Sequence, residues 1–381
     1  MIRVLTIFGT RPEAIKMAPL IKQLGCHPDD IEVVNCVTAQ HRQMLDQVLD
    51  LFDIAPQFDL DIMRTGQDLF DLTSNIILRM RDVFREVQPH ICLVHGDTTT
   101  SVAASLAAFY SRVAVGHVEA GLRTHLRYSP FPEELNRQLT GRLASYHFAP
   151  TVQARDNLLA EGVDADSITV TGNTVIDALM DVAQRIDADG TLRLALSDKV
   201  RAAGYTVGPR PFILVTGHRR ENFGTGIENI CQALRQLALA RPDHDFVYPM
   251  HLNPNVRTPV RDILSNLPNV YLIEPLDYAE FVFAMKHAYL ILTDSGGIQE
   301  EGPSLGKPIL VTRDTTERPE AVAAGTALVV GTSTERIVDA VSTLLDSRQQ
   351  YDAMANATNP YGDGQASRRI VDVIRGLARQ A

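Results

Sequence analysis

Cysteine is scarce in this chain. The four residues Cys26, Cys36, Cys92 and Cys231 among 381 stand apart, with no Cys-x-x-Cys pair, and the histidines form no His-x-x-x-His. Such spacing suggests neither a disulfide framework nor a zinc site, and a reducing cytoplasm is the expected setting. Long apolar runs are missing as well. The N-terminus enters an apolar stretch at once but carries Arg3, Arg11 and Lys16, and nothing later approaches the length of a membrane span. A soluble, unexported protein is expected. Blocks of one charge are also absent. The formal charge of −10 is spread along the chain, which argues against a nucleic-acid surface and for small-molecule partners. No strand-to-helix junction carries GxGxxG, so no tightly bound NAD is expected, and no other cofactor or metal is called for. Neither a short-period repeat nor a low-complexity tract is visible.

What is present is a globular composition, 45% hydrophobic, in a chain long enough for two α/β domains with separate cores. Strand-like runs alternate with helical patterns: Ile2–Phe8, Glu32–Val37, Ile91–His95, Val113–His117, Phe212–Thr216, Phe246–Pro249, Val270–Ile273, Ala288–Thr293 and Pro308–Val311. This alternation implies parallel sheets with crossover helices. Strand signals stop between Ile176 and Pro211, where a polar segment ends in Gly204-Tyr-Thr-Val-Gly208-Pro-Arg-Pro211, and the domain boundary is expected there. The expected fold class is therefore α/β, two Rossmann-like domains facing a cleft, with ligands beyond the carboxyl ends of the strands.

The chemistry gathers at strand ends. Ala288–Leu292 reads as a strand covered on both faces and leads into Thr293-Asp294-Ser295-Gly296-Gly297-Ile298-Gln299-Glu300-Glu301. Glycines there let backbone N–H groups approach an anion at a helix start, which suggests a diphosphate seat. The two glutamates suit sugar hydroxyls instead. An ordinary glycine-containing turn explains Ser-Gly-Gly equally well when it is taken alone. The first strand ends in Gly9-Thr10-Arg11-Pro12-Glu13, with Pro12 suited to a first helical position and Arg11 and Lys16 placed to face one anion. His95-Gly96-Asp97 and His117-Val118-Glu119 bring two carboxylates to one rim, and a proline lead-in delivers Glu133 and Glu134 to a helix start. Each acid has a structural alternative, as helix cap or dipole partner. His218 follows another strand, beside Arg219 and Arg220 and ahead of Gly224 and Gly226.

The set Gly9-Thr-Arg-Pro-Glu13, His95-Gly-Asp97, His117-Val-Glu119-Ala-Gly-Leu-Arg123, Pro132-Glu-Glu134-x-Asn-Arg137, Gly217-His-Arg-Arg-Glu-Asn222 and Asp294-Ser-Gly-Gly-Ile-Gln-Glu-Glu301 closely resembles the non-hydrolysing bacterial UDP-N-acetylglucosamine 2-epimerases. The likeness continues through Arg313-Asp-Thr-Thr-Glu-Arg-Pro-Glu320 and Asn359-Pro-Tyr-Gly-Asp-Gly364. It implies a GT-B-like architecture with residues 1–175 as the first domain, 176–210 as linker, 211–364 as the UDP-binding domain, and a C-terminal helix, 365–381, returning to the first. It also implies a homodimer, interconversion of UDP-N-acetylglucosamine and UDP-N-acetylmannosamine, and supply of the product to cell-surface polysaccharide synthesis. Matched residue by residue, catalysis falls on Asp97, Glu119, Glu133 and His218. UDP-sugar contacts fall on Arg11, Lys16, Leu276 through its backbone, Phe281 beside the base, Ser295, Gly296, Gly297, Glu301 at the ribose, and Arg318. Relatives can also bind a second UDP-sugar as activator, for which Gln43, Gln67, Arg219 and His251 are the candidates here. His125-Leu126 is a departure, since many relatives have Gly-Asp there.

The C2 hydrogen of the sugar lies beside no carbonyl, so its removal gains nothing from an enolate. If UDP leaves C1 as that proton is taken, the diphosphate carries the charge and a 2-acetamidoglucal remains. The resemblance implies this elimination and re-addition. A GT-B glycosyltransferase using a UDP-sugar is the main alternative, separated by its need for an acceptor. A hydrolysing epimerase would release N-acetylmannosamine and UDP. A non-catalytic UDP-sugar sensor would leave the rim acids and His218 unexplained.

Overall fold

The computed structural model describes residues 1–39, 42–64 and 66–378. Its contacts fall into two compact units, Met1–Ala178 with Tyr361–Ala381, and Leu179–Pro360. The division falls inside the helix Thr174–Ala188, and the stretch expected to link the domains is carried by that helix and by Gly190–Ala203.

In the first unit the strands are β1 (Ile2–Phe8), β2 (Ile31–Val37), β3 (Phe58–Asp59), β4 (Ile91–His95), β5 (Ala114–Val118), β6 (Tyr146–Ala149) and β7 (Ile168–Val170). All pairs are parallel, in the order β3-β2-β1-β4-β5-β6-β7. Helices cover both faces of such a sheet, so its central strands are apolar throughout rather than alternating, and six of the seven β1 residues are buried. Leu5, Ile7, Cys92 and Val94 form the core of one face with Ile76, Met80 and Ala104.

The second unit repeats the plan with β8 (Phe212–Thr216), β9 (Asp245–Pro249), β10 (Val270–Ile273), β11 (Leu290–Thr293), β12 (Ile309–Val311) and β13 (Ala327–Val329), ordered β10-β9-β8-β11-β12-β13. Ile213, Val215, Leu290 and Leu292 meet Ile230, Leu234 and Val341 in its core. Each sheet is a doubly wound Rossmann-like sheet, as expected for the fold class.

The order reverses direction between β1 and β4 in one sheet and between β8 and β11 in the other, and such switch points open a crevice at the carboxyl ends of the strands. Register decides which residues reach that level. His95 pairs with Val118, so Asp97 and Glu119 leave the sheet together. Thr293 pairs with Thr216, so His218 and Ser295 do the same.

Candidate active site

In the first unit the turn after β1 is fixed by Glu13. Thr10 caps the helix Arg11–Gly25 and forms a reciprocal capping box with Glu13. Arg11 therefore takes the first helical position and Pro12 the second, one residue later than expected. Glu13 is buried. Its Oε2 accepts from the N–H groups of Gly9 (3.1 Å) and Thr10 (2.8 Å), and its Oε1 accepts from the hydroxyls of Thr98 (2.7 Å) and Ser101 (3.3 Å). One carboxylate thus ties the turn after β1 to the turn after β4. Burial raises its pKa, and the hydrogen bonds from Thr98, Thr10 and Gly9 oppose the rise. Gly9 has no room for a side chain, because a Cβ there would stand 2.0 Å from Thr38 Oγ1.

Asp97 is not the helix cap. That role belongs to Thr98, whose hydroxyl accepts from Ser101 N–H, leaving the Asp97 side chain for other partners. Arg137 donates from Nη2 to Asp97 Oδ2, and Asn136 Nδ2 donates to the Asp97 carbonyl at 3.0 Å. Burial pushes the Asp97 carboxyl above the usual range. Arg137 opposes this, Glu119 adds to it, Lys16 opposes it and Glu133 adds to it. The three acids therefore share one electrostatic neighbourhood.

Glu119 adopts the left-handed region at φ 64°, a conformation costly for a residue with a Cβ. Its mostly buried side chain accepts from Lys16 Nζ and, at 2.8 Å, from Asn173 Nδ2. His95 Nε2 lies 3.9 Å from the same oxygen, and burial lowers His95 to about 4, so its ring is neutral near pH 7. Glu133 opens the helix Glu133–Leu143, and its Oε2 is buried with no hydrogen-bond partner among the described residues. Glu134 is structural. Wholly buried, it accepts from the N–H groups of Thr124 (3.0 Å) and His125 (3.2 Å) and from Gln138 Nε2 (3.1 Å). His125 sits at φ 61°, so the loop takes the left-handed turn without a glycine there.

Arg11, Lys16, Asp97, Glu119 and Glu133 all lie on this unit. Arg11 is half-buried and has no ion-pair partner among the described residues, whereas Lys16 is committed to Glu119. Gln67 accepts from Arg64 N–H at 3.2 Å, and the side chain of Gln43 lies outside the described residues.

In the second unit Asp294 organises the level above β8 and β11. It is buried, and its Oδ2 accepts from the N–H groups of His218 and Arg219, each at 2.8 Å, and from Asn222 Nδ2 at 3.3 Å. The His218 ring stacks on His251 with centroids 5.7 Å apart. Burial lowers the His218 pKa, Asp294 opposes, and Arg219 and His251 lower it further. Ser295 caps the short helix Gly296–Glu301 without a side-chain cap bond. A Cβ on Gly296 would meet the guanidinium of Arg318 at 3.8 Å and that of Arg219 at 3.9 Å, so two cations converge on this glycine. Free N–H groups and two guanidiniums at one point suit a polyanion.

Glu300 is buried and accepts from Arg318 Nε, so this carboxylate orients the guanidinium that lies beside Gly296. Glu301 accepts from Tyr278 OH at 3.0 Å. Phe281 lies half-buried on the helix Tyr278–His287, and Leu276 in the loop before it is half-buried too. Residue reading missed the tying roles of Glu13, Arg137, Asn173 and Asp294. Two spacings offered a signal: Thr10-x-x-Glu13, the pattern of a capping box, and Glu134-x-x-Arg137, an i,i+3 pair on one helix face.

Among the described residues no group of three His, Cys, Asp or Glu side chains could hold a metal ion, and no helix is long and apolar enough to cross a membrane. A family model described as UDP-N-acetylglucosamine 2-epimerase matches residues 24–375. The UDP-N-acetylglucosamine 2-epimerase of Yersinia pestis is 58% identical over 373 residues, covering 98% of both chains. The crystal structure of UDP-GlcNAc 2-epimerase from Neisseria meningitidis bound to UDP-GlcNAc shares 52% identity at a TM-score of 0.89, covering 98% of this chain and 99% of that one. The Methanocaldococcus jannaschii UDP-GlcNAc 2-epimerase in complex with UDP-GlcNAc and UDP shares 32% at a TM-score of 0.78, covering 98% and 99%. With a family model matched over most of its length and relatives similar from end to end, the chain belongs to the UDP-N-acetylglucosamine 2-epimerase family.

Proposed function

We propose that this protein interconverts UDP-N-acetylglucosamine and UDP-N-acetylmannosamine by eliminating UDP and adding it back from the opposite face. One observation carries the reading. Asp97, Glu119 and Glu133 lie in one electrostatic neighbourhood, where burial holds the Asp97 carboxyl above its usual range, and a sugar carbon that must lose and regain a proton needs such a group of acids.

The corner formed by Ser295, Gly296, Gly297 and Arg318, with His218, stabilises charge on the departing diphosphate, and Arg11 is a further UDP contact. Glu301 takes the ribose and Phe281 the base. Because the C2 proton leaves on one face and returns on the other, two acid/base groups are required, and Asp97, Glu119 and Glu133 supply them. The raised Asp97 pKa suits proton exchange nearer neutral pH than an ordinary aspartate allows. The intermediate is a 2-acetamidoglucal held while UDP remains bound, and no water is added, so the enzyme is non-hydrolysing.

Incubating the protein with UDP-N-acetylglucosamine alone in deuterium oxide tests this. Appearance of UDP-N-acetylmannosamine with deuterium at C2 is expected. Free N-acetylmannosamine, a demand for an acceptor, or epimerised product retaining protium would each sink the reading.

The working unit is a homodimer. Leu78 and Tyr110 are exposed along the groove between the helices Leu69–Val87 and Thr99–Tyr110, which Arg81, Arg85 and Arg112 also line, and Phe109 is exposed next to Tyr110; exposed large apolar side chains of this kind suit pairing with a second copy. Sedimentation at a dimer mass, lost in F109D/Y110D, is expected. A second UDP-sugar acts as activator beside Arg219 and His251, and a lag with UDP-N-acetylmannosamine alone, removed by a trace of UDP-N-acetylglucosamine, is its signature. The cytoplasm is the setting, and polysaccharide synthesis consumes the product.

A further inference from the structure

His218 is held by more than its own loop. Asp294 is 1% exposed, and its two oxygens are treated differently. Oδ2 is saturated by two backbone N–H groups and Asn222 Nδ2, and Asn222 is itself anchored to the Thr312 carbonyl at 3.0 Å. Oδ1 is buried with no hydrogen-bond partner among the described residues and faces the His218 ring, where Nδ1 stands 3.4 Å away outside hydrogen-bond geometry. Leaving a buried carboxylate oxygen unsatisfied is costly, and native structures keep such groups where a use compensates. Stacking on His251, with 20° between the ring planes, restrains the imidazole in the orientation that turns Nδ1 toward Asp294.

We propose that Asp294 is the positioning residue of His218, completing an Nδ1–H···Oδ1 bond when the site engages substrate and so dedicating Nε2 to the diphosphate. The inference rests on the functional reading above for its substrate, but its geometry belongs to this unit alone. With Nδ1 donating to Asp294, the neutral ring carries its proton there and presents a bare Nε2. Once an anion arrives, the ring takes up a second proton from solvent. The imidazolium then donates from Nε2 to a phosphate oxygen and from Nδ1 to the carboxylate. No covalent bond to the protein is made or broken.

The charged groups facing the ring are Asp294 from the end of β11, Arg219 on its own loop and His251 from the end of β9. Of these only Asp294 favours the imidazolium. A merely structural aspartate would hold the loop backbone through Oδ2 and leave ring tautomer and pH dependence untouched.

Two measurements decide. Nitrogen-15 histidine NMR on the full-length protein at pH 8, with the His218 signals assigned by their loss in H218Q, should show the neutral ring protonated at Nδ1. A ring protonated at Nε2 overturns the proposal whatever any variant does. In D294N the amide can still accept from the backbone N–H groups, but it presents an NH2 to the ring and forces the other tautomer. Its kcat should fall on the order of 10² to 10⁴-fold, the scale of a wrong-tautomer histidine, with the alkaline limb of kcat moved to lower pH. The double variant H218Q/D294N should be no slower than H218Q, as expected for residues acting as one unit. Full activity with an unmoved profile in D294N, or multiplicative losses in the double variant, overturns the proposal. If the wild type does not epimerise UDP-N-acetylglucosamine, the functional reading fails while the tautomer still decides on Asp294.

Discussion

Lys16 and Glu119 are hydrogen-bonded to each other in the interior of the first unit, the ammonium on the helix after β1 and the carboxylate one residue beyond β5. Both side chains are largely shielded, and Asn173 gives Glu119 a second donor at 2.8 Å. The pair therefore sets where one acid of the cluster points and how much negative charge the cluster holds.

Removing the ammonium while keeping the stem, as in K16M, takes away the cation of a largely buried pair. A loss in kcat/KM for UDP-N-acetylglucosamine on the order of a hundredfold is expected, the scale of deleting one buried charged contact. Steady-state kinetics checks this, and an unchanged kcat/KM would reduce Lys16 to packing.

Asp97 and Glu133 are expected to act on the sugar ring and not on the nucleotide. Asp97→Asn and Glu133→Gln should each lower kcat on the order of 10² to 10⁴-fold, the usual contribution of a positioned acid or base. Calorimetric titration with UDP should show affinity close to wild type. Weakened UDP binding in either variant would move that residue to a binding role.

Arg137 tunes Asp97. Its guanidinium bonds the carboxylate and lies 3.6 Å from Glu134, and it lowers a pKa that burial raises. Taking it away leaves burial, Glu119 and Glu133 less opposed, so the Asp97 pKa must rise further. In R137M the acid limb of kcat/KM against pH should move upward by about 1 to 3 units, the span of a neighbouring charge, while R137K should move it less. An unmoved limb would mean that Asp97 is not the base whose ionisation the profile reports.

These couplings mark where residue reading stops. The long apolar strands β1, β4, β8 and β11 were legible because parallel strands covered on both faces are continuous hydrophobic runs, and they bring His95, Asp97, His218 and Ser295 to the strand ends. Strands β3, β7 and β13 were not foreseen. Each is an edge strand of two or three residues, too short for any periodicity to register. β6 lies inside the sheet, but His147 interrupts its apolar character, and that ring is buried against the Gly141 carbonyl at 2.9 Å. The acids announced themselves by type and position. Which acid is free and which is structural did not, since Glu133 and Glu134 are neighbours with the same local signal and differ only in what the fold brings to each.

Buried histidines in the first unit make a prediction about stability. His95 is held to about 4 and His117 to about 3, both chiefly by burial, against about 6.5 in an unfolded chain. As pH falls below 6.5 the unfolded chain binds protons that the folded one refuses, so the stability these rings contribute is complete above that pH and is lost on the way down to about 4 and about 3. Between pH 7 and 5 the pair should withdraw about 4 kcal/mol, roughly 2 for each ring. Carboxyls with raised pKa values, Glu13, Asp97 and Asp177, act with the opposite sign as they take up protons, so the raw slope mixes both. The difference between wild type and His117→Gln isolates one ring. Urea unfolding of both at pH 7, 6 and 5 should give a shallower loss for the variant, by about 2 kcal/mol over that range. Parallel curves would mean that His117 already carries its proton in the folded protein.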